Sequence, residues 1–337
     1  SFRAIVIPQS VAAGTHLFKI TIDGMTYNFK KDVDVIYEAG KVNKFTIKIN
    51  RKFHTGEYEL ELVEADIVAW TEDLNQHDGV ARQYYCVNVN EPGTLGRLIK
   101  ADKKNPMKIK NLKVSGTISD EDFYFMRDSM AILEAVNLKE SRVVDVNMTE
   151  LTLPGHPDEF GKSTIFVTRE AGVYDDVIPN YAFQNKTSLY YFEFPEKIMQ
   201  IGSSAFSGSS LSGVLVIPDD VEMIWNSAFS STNISSVFFS PNTKIIGGSV
   251  FYNCNSLSGS LQFPDNLVYI GQAAFQGCNG LSGNLILPVN LKYLGPYAFH
   301  GAGPFIGNLT IPSGVPRLYI STFNGNASTT VYKSFNG

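Results

Sequence analysis

From residue 178 onward the apolar positions of the chain fall into columns. An aliphatic residue at Ile178, Ile201, Ile224, Ile246, Ile270, Leu294 and Leu318 is followed five positions later by an aromatic one, at Phe183, Phe206, Phe229, Phe251, Phe275, Phe299 and Phe323. A small residue precedes the ring at Ala182, Ala205, Ala228, Ala274 and Ala298, and a proline follows it by 12 or 13 positions at Pro195, Pro218, Pro241, Pro264, Pro288 and Pro312. The rings recur every 22 to 24 residues, a period that signals stacked, similar coils. The three residues before each proline, as in Leu215-Val216-Ile217 and Leu285-Ile286-Leu287, predict a short strand with its first and third side chains inward, because side chains alternate along a strand. One coil hides about five large apolar side chains, a gain of ~10 kcal/mol, against a backbone ordering cost of about 1 to 2 kcal/mol per residue. A single coil is therefore unstable, and the stack must fold as one cooperative rod.

The N-terminal part has a different rhythm. Leu17 to Ile22 alternates, Asp23-Gly24 is a hairpin signal, and Tyr27 and Phe29 resume the alternation; Phe45, Ile47 and Ile49 give a further strand, as do Tyr58, Leu60 and Leu62. Residues 1–78 therefore read as an antiparallel β-sandwich-like domain, and the whole chain as mostly β with an α+β element. Residues 79–131 read as a linker and a helix-bearing cap. Tyr85, Val87 and Val89 form a strand, Thr94 caps a helix carrying Leu95, Leu98 and Ile99 on one face, and Ser119 with Asp122 opens a second helix as a capping box. Val114 and Val136 are 22 apart, the interval of the repeat, so the cap is read as a first coil closing the end of a rod that occupies 132–337. Between Leu138 and Ile178 lie 39 residues where a later coil has six. This insertion, at about 139–177, is expected either to pack as a loop over the cap or to leave one face as a binding surface.

The columns also carry a resemblance. Ile270-Gly271, Ala274-Phe275, Cys278 and Leu281, followed by an aliphatic pair and Pro288, form a motif similar to the BspA-type leucine-rich repeat, and the likeness extends over about residues 178–326. It implies a right-handed leucine-rich-repeat solenoid of 22–24-residue coils. It further implies a surface protein of an anaerobic Gram-negative bacterium, attached to the outer membrane, that binds a host or microbial protein or glycan. Between residues 5 and 71, the succession Ile-Val-Ile-Pro-Gln-Ser, Ile-Thr-Ile-Asp-Gly, Phe-Thr-Ile-Lys-Ile-Asn and Ile-Val-Ala-Trp-Thr resembles the C-terminal part of fimbrillin-like domains, which form pilus subunits, anchors and tip proteins. The domain over 1–78 is accordingly expected to be an incomplete member, with an exposed edge or groove. The first ten residues lack a basic start and an apolar signal core, so the chain is expected to derive from a longer one. Two functions follow: a cell-surface adhesin using the solenoid face, or a structural pilus or surface-assembly subunit in which the solenoid is a spacer.

Composition narrows the partners. A net charge of −5 argues against nucleic acid or an anionic membrane as the main partner, and no run of 18 apolar residues predicts a membrane span. Cys254 and Cys278 share a column in adjacent coils, within disulfide range at about 5 Å, but parallel side chains in stacked coils suit two buried thiols better. No nucleophile, phosphate-loop or metalloprotease motif occurs, so neither catalysis nor a cofactor is expected. His156 with Asp158 and Glu159 reads as a solvated loop rather than a metal site. Asp32 with Asp34, and Asp175 with Asp176, read as solvated turns rather than calcium ligands, since the full calcium-loop spacing is missing.

From residue 177 onward six basic and six acidic residues leave a surface rich in Ser, Asn, Gly and aromatics. The outward strand column reads Glu193, Val216, Phe239, Gln262, Ile286 and Thr310. Val216, Phe239 and Ile286 would form an apolar patch for a partner. A one-residue shift would bury Phe239 instead, since this alignment puts Ser240 in an inward slot. Trp225 and Tyr319 replace the Gly that follows the aliphatic residue, and either pack over the turn or stack on a sugar.

Overall fold

The structure is a computed structural model. It describes side chains over 83–158, 161–307 and 309–325, and backbone alone for six N-terminal strands, Asn308 and a last strand at 330–333. The chain divides into two compact units, 1–81 and 82–337. In the first, β1 (Gln9–Val11) pairs with β4 (Val35–Tyr37), β2 (His16–Ile22) with β3 (Met25–Lys30), and β5 (Lys41–Arg51) with β6 (Tyr58–Ala69), all antiparallel. The expected hairpin is formed by β2 and β3, whose last pair is Ile22 with Met25. Asp32, Asp34 and the open edge or groove expected of this domain lie outside the described residues.

The second unit is mostly β with few helices, a β-solenoid of about nine coils spaced about 24 residues apart. Six two-residue strands, β14 (Val177–Ile178), β16 (Gln200–Ile201), β18 (Met223–Ile224), β20 (Ile245–Ile246), β22 (Tyr269–Ile270) and β24 (Tyr293–Leu294), lie parallel and in register. Their second residues form the aliphatic column and are wholly buried. After each strand the chain turns through a left-handed residue, among them Ser204, Ser227 and Ser249 at φ 53 to 59°. That conformation is uncommon for residues other than glycine, and here each of these N–H groups donates to a carbonyl of the next coil. Two residues on, Phe206 N–H donates to Ala228 O at 2.8 Å and Phe275 N–H to Ala298 O at 2.8 Å. The small column lets coils approach, and the rings stack along the axis: Phe206 on Phe229 at 5.3 Å and 2°, Phe275 on Phe299 at 5.3 Å and 2°, and Phe299 on Phe323 at 5.5 Å and 4°.

The cap continues the stack. Strands β7 (Tyr85–Val89), β8 (Asn111–Ile118), β9 (Ala135–Val143) and β15 (Tyr191–Glu193) form one parallel sheet. The crossovers are α1 (Leu95–Ala101) and α2 (Asp120–Ser129), so two successive coils carry helices where one was expected. Thr94 sits at the start of α1, but its hydroxyl donates to Glu91 O and makes no cap. The buried carboxylate of Asp122 does that work, accepting from the N–H groups of Gly93 (2.7 Å), Leu95 (2.9 Å) and Ser119 (3.0 Å). One side chain thus holds the starts of both helices. At the other end of α2, the ammonium of Lys186 donates to Arg127 O and Met130 O.

The insertion is a two-stranded arm. Strands β10 (Val146–Met148) and β13 (Gly172–Tyr174) pair as its base, and β11 (Leu151–Pro157) and β12 (Ser163–Arg169) as its shaft, both antiparallel. It folds along the rod rather than over the cap, because its apolar side chains meet the exposed side of the six-stranded sheet: Leu153 is buried with Trp225, Ile245, Tyr269 and Tyr293.

Candidate functional site

Two surfaces of the rod carry the candidate residues. On the strand face, β17 (Ser212–Val216) and β19 (Asn233–Phe238) pair in parallel, placing Val216 beside Phe238. Later coils bring residues 261–263, 285–287 and β25 (Asn308–Ile311) to the same position, and β25 pairs with β26 (Thr330–Lys333). The remaining strand pair is β21 (Ser258–Gly259) with β23 (Gly280–Leu281). Leu215, Ile217, Leu261, Leu285, Leu287, Leu309 and Ile311 point inward and are buried. Val214, Val216, Phe238 and Ile286 point outward at 50, 56, 58 and 68 % exposure, with Gln262 and Thr310 also exposed. From Phe206 to Pro312 no coil places a Lys, Arg, Asp or Glu between its Phe and its Pro, so this face carries no formal charge.

Two assignments in this column are corrected. Phe239 faces the core, stacked on Phe263 at 5.7 Å and edge-on to Phe251 at 6.0 Å. The outward ring is Phe238. Counting back from the proline fails in this coil because Ser240 is an extra residue between strand and turn. Its hydroxyl donates to Asp219 O and accepts from Asn242 N–H. Glu193 holds an outward slot yet is buried, accepting from the amide of Asn137 at 2.6 Å.

The opposite surface is covered by the arm. Trp225 is wholly buried; its indole N–H donates to Gln200 Oε1 at 2.8 Å, and the Arg169 guanidinium lies 4.6 Å over its ring. Burial pushes the Arg169 pKa down, while its Nε and Nη2 donate to Thr149 O. Further along, Tyr269 and Tyr293 stack at 4.5 Å; Phe166 lies 4.8 Å from Tyr269, and the Tyr269 hydroxyl donates to Pro154 O at 3.0 Å. His156 packs 4.7 Å from Tyr293 and stacks on Tyr319 at 5.9 Å and 21°. The Trp225 and Tyr319 side chains thus serve the docking of the arm. His156 belongs to that aromatic contact rather than to a solvated loop, and Glu159 lies outside the described residues. Asp176 is buried and pairs with Lys197 (3.0 Å) and Arg142 (3.5 Å), and Asp175 pairs with Arg142. Among the described residues no three His, Cys, Asp or Glu side chains gather to hold a metal. No helix among them is long and apolar enough to cross a membrane.

The cysteines are free thiols. Cys254 and Cys278 are buried, each donating to a carbonyl of the preceding coil, Phe229 O and Phe251 O, and burial raises both pKa values. Sequence reasoning missed Val214, Phe238 and the docked arm. For Phe238 the signal was present in the inward slot given to Ser240; for the arm none was, since its partners lie up to 163 residues away, as between His156 and Tyr319.

Residues 176–260 and 258–335 match the BspA type Leucine rich repeat region, and residues 1–70 match the fimbrillin-like family. No curated protein matches the chain. Among solved structures it is similar to a leucine-rich repeat protein from Bacteroides ovatus, at 18 % identity over 80 % of this chain and 58 % of that one, with a TM-score of 0.39. It is also similar to the T. pallidum leucine-rich repeat protein TpLRR (23 % identity, 46 % and 61 % covered, TM-score 0.32) and to the pneumococcal vaccine antigen PcpA (14 %, 68 % and 70 %, 0.28). The chain thus spans little more than half the length of the first of these.

Proposed function

We propose that this chain, whose C-terminal half is a BspA-type leucine-rich-repeat region and whose first 70 residues are fimbrillin-like, is a cell-surface adhesion protein that binds an extracellular protein through the free strand face of its rod. The observation that carries this reading is the outward file of Val214, Val216, Phe238 and Ile286 in a face without formal charge. Fully burying such a side chain is worth about 1.5 to 3 kcal/mol. Four half-exposed ones therefore offer roughly half of the ~8 kcal/mol of a micromolar complex, and the Gln, Thr and Ser side chains around them offer hydrogen bonds for register. A protein fits better than a glycan, because Phe238 is the one ring in a file otherwise of Val and Ile, and the rings of Trp225 and Tyr319 are engaged by the arm. Both families are surface-associated, which supports placement at the cell surface, with the N-terminal unit as the attachment to an outer membrane. The reading is of a binder without catalysis or cofactor.

The fimbrillin-like match also favours a second reading, in which the N-terminal unit assembles into a pilus and the rod is a spacer. Passing the full chain and its Phe238→Asp variant over immobilised matrix proteins, mucins and glycans separates the two. Adhesion predicts retention on a protein that survives raised salt and is lost in the variant. Absence of any retention, together with self-assembly in sedimentation, would sink adhesion in favour of the spacer.

A further inference from the structure

The net charge of −5 conceals strongly basic segments, and one of them lies within the described residues. Residues 97–113 hold seven Lys or Arg side chains and a single carboxylate, Asp102. They run from the last turns of α1 through an exposed turn and a 3-10 helix at Pro106–Lys108 into β8, in the first coil of the cap. The available carboxylates are taken by the flanks of this segment. Arg97 pairs with Glu91 at 2.7 Å, Lys110 with Glu134 at 2.7 Å and Lys113 with Glu140 at 3.0 Å, while Asp102 accepts from the Tyr85 hydroxyl at 2.8 Å. Lys100, Lys103, Lys104 and Lys108 remain, all exposed, and among the described residues none of them has an ion pair. Met107, 61 % exposed, stands beside Lys108. Four ammonium groups against the one carboxylate of Asp102 within nine residues leave a net local charge of +3, a positive potential that the chain's overall acidity does not cancel at short range.

We infer that this loop docks a linear sulfated polysaccharide. Residues 100–105 are all exposed, so the cations stand on a projecting surface rather than around a pocket for a single small anion. All four are lysines, point charges on flexible stems, and none offers the planar fork by which arginine grips a phosphate through two bonds. Spaced along a helix end, a turn and a short 3-10 helix, they match a polymer of repeated anions. An anionic membrane would meet the same charges. Met107 is the one large apolar side chain of the loop, however, and a single side chain adds at most about 1.5 to 3 kcal/mol of insertion. The site is separate from the strand face and stands or falls independently of it.

The test uses the full chain on immobilised heparin, beside the variant Lys100→Gln, Lys103→Asn, Lys104→Gln, Lys108→Gln. Asn is chosen at 103 because Lys103 has φ +54°, which Asn tolerates. By counterion release, four contacts to a flexible polyanion predict a loss of affinity of about 50-fold between 50 and 200 mM salt. The variant should pass through unretained with an unchanged melting temperature, and Lys292→Gln with Arg317→Gln, on the rod, should bind as the parent does. The inference is overturned if the parent is not retained, if the variant is retained equally, or if the parent binds phosphatidylglycerol vesicles while ignoring heparin.

Discussion

Phe238 and Phe239 are adjacent in sequence and opposite in role. Phe239 is wedged between Phe251 and Phe263, whereas Phe238 meets solvent over more than half its surface. Truncating a buried phenylalanine costs about 3 to 5 kcal/mol, and Phe239, partly buried, should lose about 2 to 3 kcal/mol on Phe239→Ala. Phe238→Ala should stay within about 0.5 kcal/mol. Urea unfolding of the two variants distinguishes them, and equal losses would place both rings in the core. The columns made most of the rod legible, because each aliphatic, small and aromatic position answers to one packing constraint. The strand's distance to its proline answers to none, so one extra residue, Ser240, was enough to turn the file. The thiols were legible for the same reason as the rings. Ellman's reagent should titrate one thiol, Cys86, in the native chain and three after denaturation; a second fast native thiol would contradict the packing of Cys254 and Cys278.

At the scale of elements, the arm is the feature whose length was readable and whose place was not. Leu153, Phe166 and His156 find partners only after two to six further coils have stacked, and no local pattern encodes that. Docking buries Tyr269 and Tyr293, and desolvation holds both pKa values above the ordinary value near 10. A phenol whose docked pKa is raised stabilises docking fully below its undocked pKa, and that stabilisation fades as pH rises beyond it. Docking should therefore weaken above about pH 10. In Leu153→Asp, where the arm is dislodged, the ultraviolet tyrosinate titration should gain about two phenols in the ordinary range. An unchanged titration curve would mean that the arm does not shield them. The cap shows a related limit: the Ser119 box was legible as a short motif, but the bonds from Asp122 to Gly93 and Leu95 span 29 and 27 residues. Asp122→Ala, which strips acceptors from three backbone N–H groups, should cost about 2 to 4 kcal/mol, and a thermal melt measures it.

At the scale of the whole molecule, the phenylalanine stack runs from Phe183 to Phe323 and makes the rod one body. In a Trp70→Phe background, Phe251→Ala, in mid-stack, should lower the melting transition reported by Trp225, in the third coil, as much as that reported by exposure of the Cys278 thiol, in the fifth, since coils depend on their neighbours. Separate transitions would show that the coils fold piecemeal. The rod offers two long surfaces, and the arm closes one of them. The proposed binding uses the other, the uncharged strand face. The most direct measurement is a surface plasmon titration of the parent, Phe238→Asp and Ile165→Asp on the protein retained from the matrix and mucin panel. Ile165 is more exposed still, at 68 %, but on the arm. Phe238→Asp should weaken binding at least about tenfold, or 1.4 kcal/mol, with Ile165→Asp unchanged. Loss in Ile165→Asp with Phe238→Asp intact would move the binding site to the arm and contradict the assignment.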